Sequence, residues 1–217
     1  VSVIDWTEPK GVLAVAAVQG NLDQRTKWRS HQFDANFDRH WQPTLGLSEA
    51  DLVVWPEASF TDFRENRPEL LSAMDALVGE RGQGLIIGLP DRDENGYTNT
   101  ALGLGEVDGS YAKRHLVPFG EYVPLEQWLR GVIAFFDLPM SRNRPGPQQQ
   151  APLSFKGQPL SLSICYEIAY PHLVRSAAKE PMALVTISND TWFGDSIGPV
   201  QHLQIAQMRA LENGRSL

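Results

Sequence analysis

Three short segments of the chain carry side chains that could act together as one active site. They are residues 54–57, 111–114 and 163–167, and each lies where an apolar run gives way to a turn. They supply a carboxylate, an amine and a thiol, namely Glu57, Lys113 and Cys165, the only cysteine of the chain. Such groups can make and break an acyl–enzyme thioester once a base or a cation activates the thiol.

The chemistry of each side chain indicates a role. Glu57 follows a strand-like run and is the natural general base for the thiol of Cys165. Lys113 offers a fixed positive charge for the oxyanion of a tetrahedral intermediate, and the backbone N–H of Tyr166 could be a second donor. The pattern therefore favours acyl transfer, although the spacing alone leaves the reaction open.

Each of these residues also has an ordinary structural explanation. A lone cysteine at a strand end is often a small buried hydrophobic residue. Glu57 could cap the turn that follows Pro56, and Lys113, which precedes Arg114, could be a solvated charge. Because all three follow strand-like runs of one alternating pattern, we favour a shared site.

The elements that would position these residues alternate between strand and helix. Apolar runs of strand length lie at residues 12–19, 51–55, 85–89, 100–105, 160–165 and 184–188, and residues 91–96 form a turn. Apolar spacing and end signals predict helices at residues 28–41, 68–81, 170–179 and 199–213. On the first two, the inward side chains would be Trp28, Phe33, Phe37, Trp41, Leu70, Leu71, Met74 and Leu77. Apolar strands alternating with helices predict a sheet covered on its faces.

The stretch between Pro118 and Pro159 breaks this pattern. It holds seven of the fifteen prolines and the apolar patch of residues 132–136. A long irregular insertion in a compact domain is usually either functional or disordered. We therefore expect one domain, residues 1–217, with an insertion at about residues 118–159.

The composition limits the class of protein. With 217 residues, 42% of them hydrophobic and 21% charged, the chain matches one ordinary globular domain. A net charge of −7 without a basic stripe argues against a nucleic-acid partner. The histidines show no paired ligand spacing and the glycines no phosphate-binding pattern, so we predict neither a metal nor a nucleotide.

The two ends of the chain suggest a piece of a longer protein. The N-terminus lacks an initiator methionine and has no signal-peptide pattern, and the chain stops soon after the last predicted helix. Its apolar runs are all well short of the ~20 residues of a membrane-spanning helix. We therefore expect an excised segment.

Longer motifs around the reactive segments resemble a known superfamily. Residues 55–57, 113–124 and 164–167 are similar to the nitrilase (carbon–nitrogen hydrolase) superfamily. Within it the motifs look most like those of the bacterial apolipoprotein N-acyltransferases, which residues 188–195, 201–203 and 208–215 also resemble. The block 113–124 is long enough to be specific, because soluble nitrilases share the three catalytic residue types but not this block.

The resemblance implies an α/β fold, a nitrilase-like αββα sandwich. The sandwich normally continues with further strands past the position of Leu217, so we expect a fold truncated at its C-terminal end. The implied catalytic triad is Glu57, Lys113 and Cys165. The implied supporting residues are Glu121, which would position Lys113, and Glu167 and Tyr166 beside the nucleophile. No cofactor is implied.

The reaction implied by the resemblance has two steps. Cys165 takes a fatty acyl chain from a phospholipid, typically phosphatidylethanolamine, as a thioester. The free α-amine of the S-diacylglyceryl cysteine at the N-terminus of an apolipoprotein then takes the chain as an amide. The implied location is the bacterial inner membrane, reached through other segments of the parent protein, with the catalytic domain on the periplasmic side. We expect a monomer.

Two groups of aromatic residues are candidates for substrate contact. We hypothesise that the insertion forms lids that keep water from the thioester. Its Phe135 and Phe136 would meet the bilayer and admit acyl chains; the alternative is a satellite cluster of the core. Trp192 and Phe193 would line the pocket, and their alternative is an aromatic plug of the core.

Two other functions stay open. A soluble nitrilase-type amidase would use the same triad with water as the second nucleophile, but block 113–124 and the apolar insertion argue against it. A degenerate domain that serves only as a binding module would not need Glu57, Lys113 and Cys165 intact.

Overall fold

The strands of the protein form two sheets. The computed structural model describes residues 7–94, 96–118, 120–122, 143–177 and 179–217. The first sheet contains, in spatial order, β1 (Val15–Ala17), β2 (Leu52–Val54), β3 (Gly84–Asp93), β4 (Gly96–Gly105) and β6 (Ser110–Ala112). The second contains β5 (Val107–Asp108), β7 (Ser154–Phe155), β8 (Gln158–Ile164) and β9 (Ala183–Ile187).

The strand directions bring the reactive segments to one edge of each sheet. β2 and β3 are parallel, whereas β4 is antiparallel to both β3 and β6, so β6 runs in the same direction as β2. Glu57 and Lys113 therefore follow strands that end at the same edge. In the second sheet β8 and β9 are parallel, so Cys165 and Asn189 also follow strand ends at a common edge.

Within the described residues, four α-helices flank the two sheets. They are α1 (Phe33–Leu45), α2 (Pro68–Glu80), α3 (Pro171–Ala177) and α4 (Gly198–Asn213). Gly214 ends α4 in the left-handed conformation (φ 58°), which glycine adopts without steric cost. Among the residues that the structure describes, none of the helices is long and apolar enough to cross a membrane.

Three apolar clusters hold these layers together. Alternation along the strands sends Val53, Leu85 and Ile87 towards α1 and α2, and Leu52 and Ile86 towards the second sheet. The cluster between the sheets also contains Leu160, Leu162 and Ile164 of β8. A third cluster joins β9 to α3 and α4. The order helix, sheet, sheet, helix is the αββα sandwich that the resemblance implies.

The helix predicted at residues 28–41 begins later than expected. The N–H groups of Thr26 and Lys27 bond to the carbonyl of Asp23, and the side chain of Asn36 donates to the carbonyl of Lys27. These bonds close turns before α1, so Trp28 lies outside the helix. The helix predicted at residues 68–81 is confirmed as α2. Its buried apolar residues are Leu71, Met74 and Val78, whereas Leu77, predicted to point inward, is only partly buried.

Two predicted irregular stretches are partly wrong. Residues 91–93 and 96 are paired as the end of the β3–β4 hairpin, because the ladder continues through the polar residues. The insertion predicted to run to Pro159 ends earlier, since β7 and β8 form a hairpin. Its turn residues Lys156 and Gly157 both have positive φ, as a two-residue hairpin turn requires. The predicted lid residues Phe135 and Phe136 lie outside the described residues.

Candidate active site

Glu57 lies in a tight loop after β2. The N–H of Trp55 bonds to the carbonyl of Ile86, and the N–H of Phe60 bonds to that of Gly88, so both ends of the loop are fixed to β3. The next residue, Ala58, has φ 52°, a left-handed conformation that is rare for a residue with a side chain. The loop therefore holds a buried carboxylate at the sheet edge.

The carboxylate of Glu57 accepts hydrogen bonds on both oxygens. Oε1 lies 2.6 Å from Asn99 Nδ2 and 3.3 Å from Lys113 Nζ. Oε2 accepts a bond of 2.9 Å from the backbone N–H of Asn189. Both sheets thus contribute to its orientation, since Asn99 belongs to β4 and Asn189 follows β9.

Lys113 is a buried cation between two carboxylates. Its side chain is 1% exposed, and Nζ lies 2.8 Å from Glu121 Oε2 and 3.3 Å from Glu57 Oε1. Burial on its own lowers the pKa of Lys113, but the charges of Glu57 and Glu121 outweigh it and keep the pKa above its ordinary value. Lys113 is therefore a permanent positive charge.

Glu121 contacts Lys113, as its expected supporting role requires. Its Oε2 also accepts a hydrogen bond of 2.9 Å from the N–H of Val117, which closes the loop after Lys113. Asn99 Nδ2 lies 3.2 Å from its Oε1. Asn99 and Lys113 each contact both carboxylates, so the four side chains form one connected group.

Cys165 follows β8 and begins a short 3-10 helix (Cys165–Ala169) rather than ending the strand. Its φ of 52° is again in the left-handed region. Burial raises the pKa of the Cys165 thiol to about 12; the Glu57 carboxylate adds to the increase and Lys113 opposes it. At neutral pH the group is therefore a thiol, and it needs a base before it can attack.

Glu167 connects the cysteine segment with the lysine segment. This carboxylate is fully buried, and its Oε1 accepts from the N–H groups of Arg114 and His115 at 2.7 and 3.0 Å. Its Oε2 accepts from the N–H of Ile164 at 2.9 Å, and the hydroxyl of Tyr111 donates to the carboxylate at 3.0 Å. Glu167 thus fixes the backbone on both sides of the site.

Three aromatic residues of the expected site lie at the surface: Tyr166, expected to support the nucleophile, and Trp192 and Phe193, expected to contact the substrate. Tyr166 is 40% exposed, and its ring lies edge-on to Tyr170 at a centroid distance of 5.2 Å. Trp192 and Phe193 are 50% and 44% exposed and belong to a 3-10 helix (Asp190–Phe193). The alternative in which these two residues plug the core is therefore wrong.

Several polar residues of the site were missed by sequence reasoning. Asn99 and Asn189 bond to Glu57, and His202 contacts the carbonyl oxygen of Cys165. Lys27 is 3% exposed, and burial lowers its pKa to about 8 while the charge of Glu57 opposes this. Asn99 and Lys27 carry no local sequence signal, because their partners are distant along the chain. Asn189 and His202 lie in the segments 188–195 and 201–203 that resemble the family, but no role was predicted for either of them.

A metal site is not evident at this edge of the sheets. Within the ranges that the structure describes, no three histidine, cysteine, aspartate or glutamate side chains are grouped so that they could hold an ion. Lys113 already provides a positive charge between Glu57 and Glu121. A buried carboxylate, a buried cation and a thiol on a residue with positive φ form an arrangement that can perform acyl transfer.

Known proteins share both the sequence and the fold. A family profile described as carbon–nitrogen hydrolase matches residues 14–215. The apolipoprotein N-acyltransferase of Pseudomonas syringae pv. tomato is 47% identical over 97% of this chain and 43% of its own length. That of Pseudomonas aeruginosa (strain LESB58) is 46% identical over 97% of this chain and 42% of its own length. The chain thus spans less than half the length of these relatives.

A solved structure supports the description of the fold. The carbon–nitrogen hydrolase from Helicobacter pylori G27 matches with a TM-score of 0.65, over 94% of this chain and 70% of that one. The two sequences are 20% identical, so the likeness concerns the fold. It agrees with the αββα sandwich.

Proposed function

The chain belongs to the carbon–nitrogen hydrolase family, and from this we propose that it is the catalytic domain of a bacterial apolipoprotein N-acyltransferase. The observation that carries the proposal is the 46–47% identity to proteins of that name over 97% of the chain. The contacts among Glu57, Lys113 and Glu121 support it, because they provide a base and a fixed cation next to a thiol.

In the first step the sulfur of Cys165 attacks the ester carbonyl of a phospholipid such as phosphatidylethanolamine. Glu57 takes the thiol proton, because the thiol has a pKa of about 12 and is not ionised at rest. The ammonium of Lys113 stabilises the oxyanion of the tetrahedral intermediate. Collapse breaks the ester C–O bond, and Glu57 returns the proton to the departing lysophospholipid oxygen, leaving a thioester.

In the second step the α-amine of a diacylglyceryl cysteine attacks the thioester. Glu57 removes a proton from the amine, the C–S bond breaks, and the sulfur of Cys165 recovers a proton. The products are an N-acylated lipoprotein and the free thiol. One buried carboxylate thus serves both half-reactions. We propose that the domain acts at the periplasmic face of the inner membrane, where both substrates would be found.

Exposed aromatic residues would serve the lipid substrate. Trp192 and Phe193 lie on the segment that also supplies the N–H of Asn189 to Glu57, so their exposed rings stand near the site. We propose that they contact the acyl chain, and that Phe135 and Phe136 admit it from the bilayer. Apolar groups around a thioester also limit its hydrolysis.

The test is the intact mass of the full-length protein in detergent after incubation with phosphatidylethanolamine. We expect a gain of one acyl group, absent in Cys165→Ala and in Glu57→Gln. Glu69→Gln is the matched control, because Glu69 is an exposed carboxylate in the first turn of α2. A folded wild-type protein that forms no adduct and releases ammonia from small amides would instead be an amidase.

A further inference from the structure

The backbone of Cys165 is held in a conformation that needs support. A φ of 52° in a residue with a Cβ is sterically unfavourable and persists only where neighbouring groups fix it. Glu167 fixes the N–H of the preceding residue, Ile164. The carbonyl of Cys165 has a different partner, which is His202 of α4.

His202 lies between that carbonyl and a carboxylate. Its Nε2 is 3.1 Å from the carbonyl oxygen of Cys165, and its Nδ1 is 2.8 Å from Asp190 Oδ1. The side chain of His202 is 12% exposed. Both partner oxygens can accept a hydrogen bond, so each ring N–H that His202 carries donates to the oxygen that faces it.

Ser188 extends this group back to the nucleophile. Its hydroxyl lies 2.5 Å from Asp190 Oδ1 and also forms a hydrogen bond with the Cys165 thiol. A path of contacts therefore runs from the thiol through Ser188, Asp190 and His202 to the carbonyl of Cys165. It begins and ends on the same residue, the nucleophile.

The same segment also orients the base. Asn189, between Ser188 and Asp190, donates its N–H to Glu57 Oε2. Residues 188–190 thus contact the nucleophile and the base at once, and His202 ties them to α4. A shift in this segment would change the direction of the thiol relative to Glu57.

We propose that His202, oriented by Asp190, is a positioning residue that holds the Cys165 carbonyl and so aims the thiol at Glu57 and at the substrate carbonyl. This inference adds a positioning residue to the proposed function. It rests on that function only where the natural phospholipid substrate is concerned. It concerns the attack of Cys165 on any acyl donor.

The test is a conservative-rescue series in the full-length protein. His202→Gln keeps a donor at the reach of Nε2, whereas His202→Leu removes it. Misplacing a nucleophile by about 1 Å can cost ~10²-fold in rate, so we expect the acylation rate to fall by that order in His202→Leu. His202→Gln should recover most of it, and the concentration of donor for half-maximal rate should change little in either variant.

The rate is measured as the burst of p-nitrophenolate from a p-nitrophenyl acyl ester, with Cys165→Ala as the blank. The activated ester tests the role of His202 without the natural substrate. The proposed function has its own test and fails if phosphatidylethanolamine gives no adduct. His31→Leu is the matched control, because His31 is exposed and lies before α1. Equal bursts in wild-type and folded His202→Leu protein, or no rescue by His202→Gln, would overturn the inference.

A second variant covers the case in which His202→Leu does not fold. Asp190→Asn keeps the shape of the side chain but removes the charge that orients the ring. We expect a burst rate reduced by about tenfold, since a charge-assisted hydrogen bond is roughly twice as strong as a neutral one. A burst at the wild-type rate in folded Asp190→Asn would count against the role of Asp190.

Discussion

Asn99 of β4 donates a hydrogen bond of 2.6 Å to the carboxylate of Glu57, which follows β2, with β3 lying between the two strands. The same amide nitrogen lies 3.2 Å from Glu121 Oε1, so one neutral side chain separates two carboxylates that share Lys113. An amide can do this because it presents two N–H groups without adding charge. The site thus depends on position 99 being uncharged.

Asn99→Asp tests this dependence with almost no change in shape. Three carboxylates would then surround one lysine, and like charges so close cannot all ionise, so the group would retain a proton to higher pH. We expect acylation at neutral pH to fall by about 10²-fold, the lower range of what general-base catalysis contributes. The rise of rate with pH should also shift upwards.

The measurement is single-turnover acylation across a pH series. Asn21→Asp is the control, because Asn21 is exposed. A pH profile for Asn99→Asp that overlays the wild type would show that the amide is dispensable.

Gly88→Ala should damage the site without removing any functional group. A Cβ at position 88 would lie 2.5 Å from the carbonyl oxygen of Pro56 and 2.7 Å from Glu57 Cα, both backbone atoms. The loop must move, which we expect to destabilise the protein by about 1–3 kcal/mol and to slow acylation by ~10²-fold.

Thermal melts and acylation rates of Gly88→Ala check this prediction. Gly11→Ala is the matched control, since a Cβ there meets nothing within 4 Å. An unchanged rate in a folded Gly88→Ala protein would mean that the loop tolerates the displacement.

The thiol of Cys165 should react slowly with iodoacetamide at neutral pH. Its pKa of about 12 means that the thiolate fraction, which reacts, rises about tenfold per pH unit through the mildly alkaline range. Glu57→Gln removes a charge that raises this pKa, so alkylation should become faster while acyl transfer is lost.

Alkylation is followed by mass spectrometry at several pH values. A rate that is already constant near neutral pH would indicate a thiolate paired with Lys113 at rest. Glu69→Gln again serves as the control, and its alkylation should match the wild type.

Lys27→Met should stabilise the protein at neutral pH. Burial lowers the pKa of Lys27 to about 8, and the unfolded chain retains the proton up to its ordinary pKa of 10.5. Between these values the unfolded state binds more protons, so wild-type stability rises with pH. Below about pH 8 the cost of the buried cation is fully present.

The gain in Tm from Lys27→Met should therefore shrink as the pH increases from about 8 to 10.5. Lys10→Met, at an exposed position, should show no such trend. A difference in Tm that does not vary with pH would mean that the buried amine is not the source of the effect.

Sequence reasoning identified the site residues that come directly after a strand-like run. Glu57, Lys113 and Cys165 each follow an apolar run, and parallel strand ends meet at one edge. Asn99 carried no such signal, because a buried asparagine inside a strand is recognised only from its partner 42 residues away. Trp28 was misplaced, because hydrogen bonds between Asn36 and Lys27 closed turns that apolar spacing does not reveal.

The roles of the supporting carboxylates were also beyond what composition and periodicity could predict. Glu121 and Glu167 were expected to matter only through the resemblance of their motifs to a known superfamily. Their burial depends on backbone N–H donors from other segments, such as those of Arg114 and His115 for Glu167. Composition and periodicity do not report such donors.

The bond between Glu57 and the N–H of Asn189 spans 132 residues of chain. Closing so long a loop is slow and entropically costly, and synthesis proceeds from the N-terminus. During synthesis the segment with Glu57 therefore emerges from the ribosome first and the segment with Cys165 later. Both emerge before the hydrogen bond between Glu57 and Asn189 can form. In the proposed reaction, the nucleophile of the nascent chain would therefore lack an oriented base until β9 and α4 have packed.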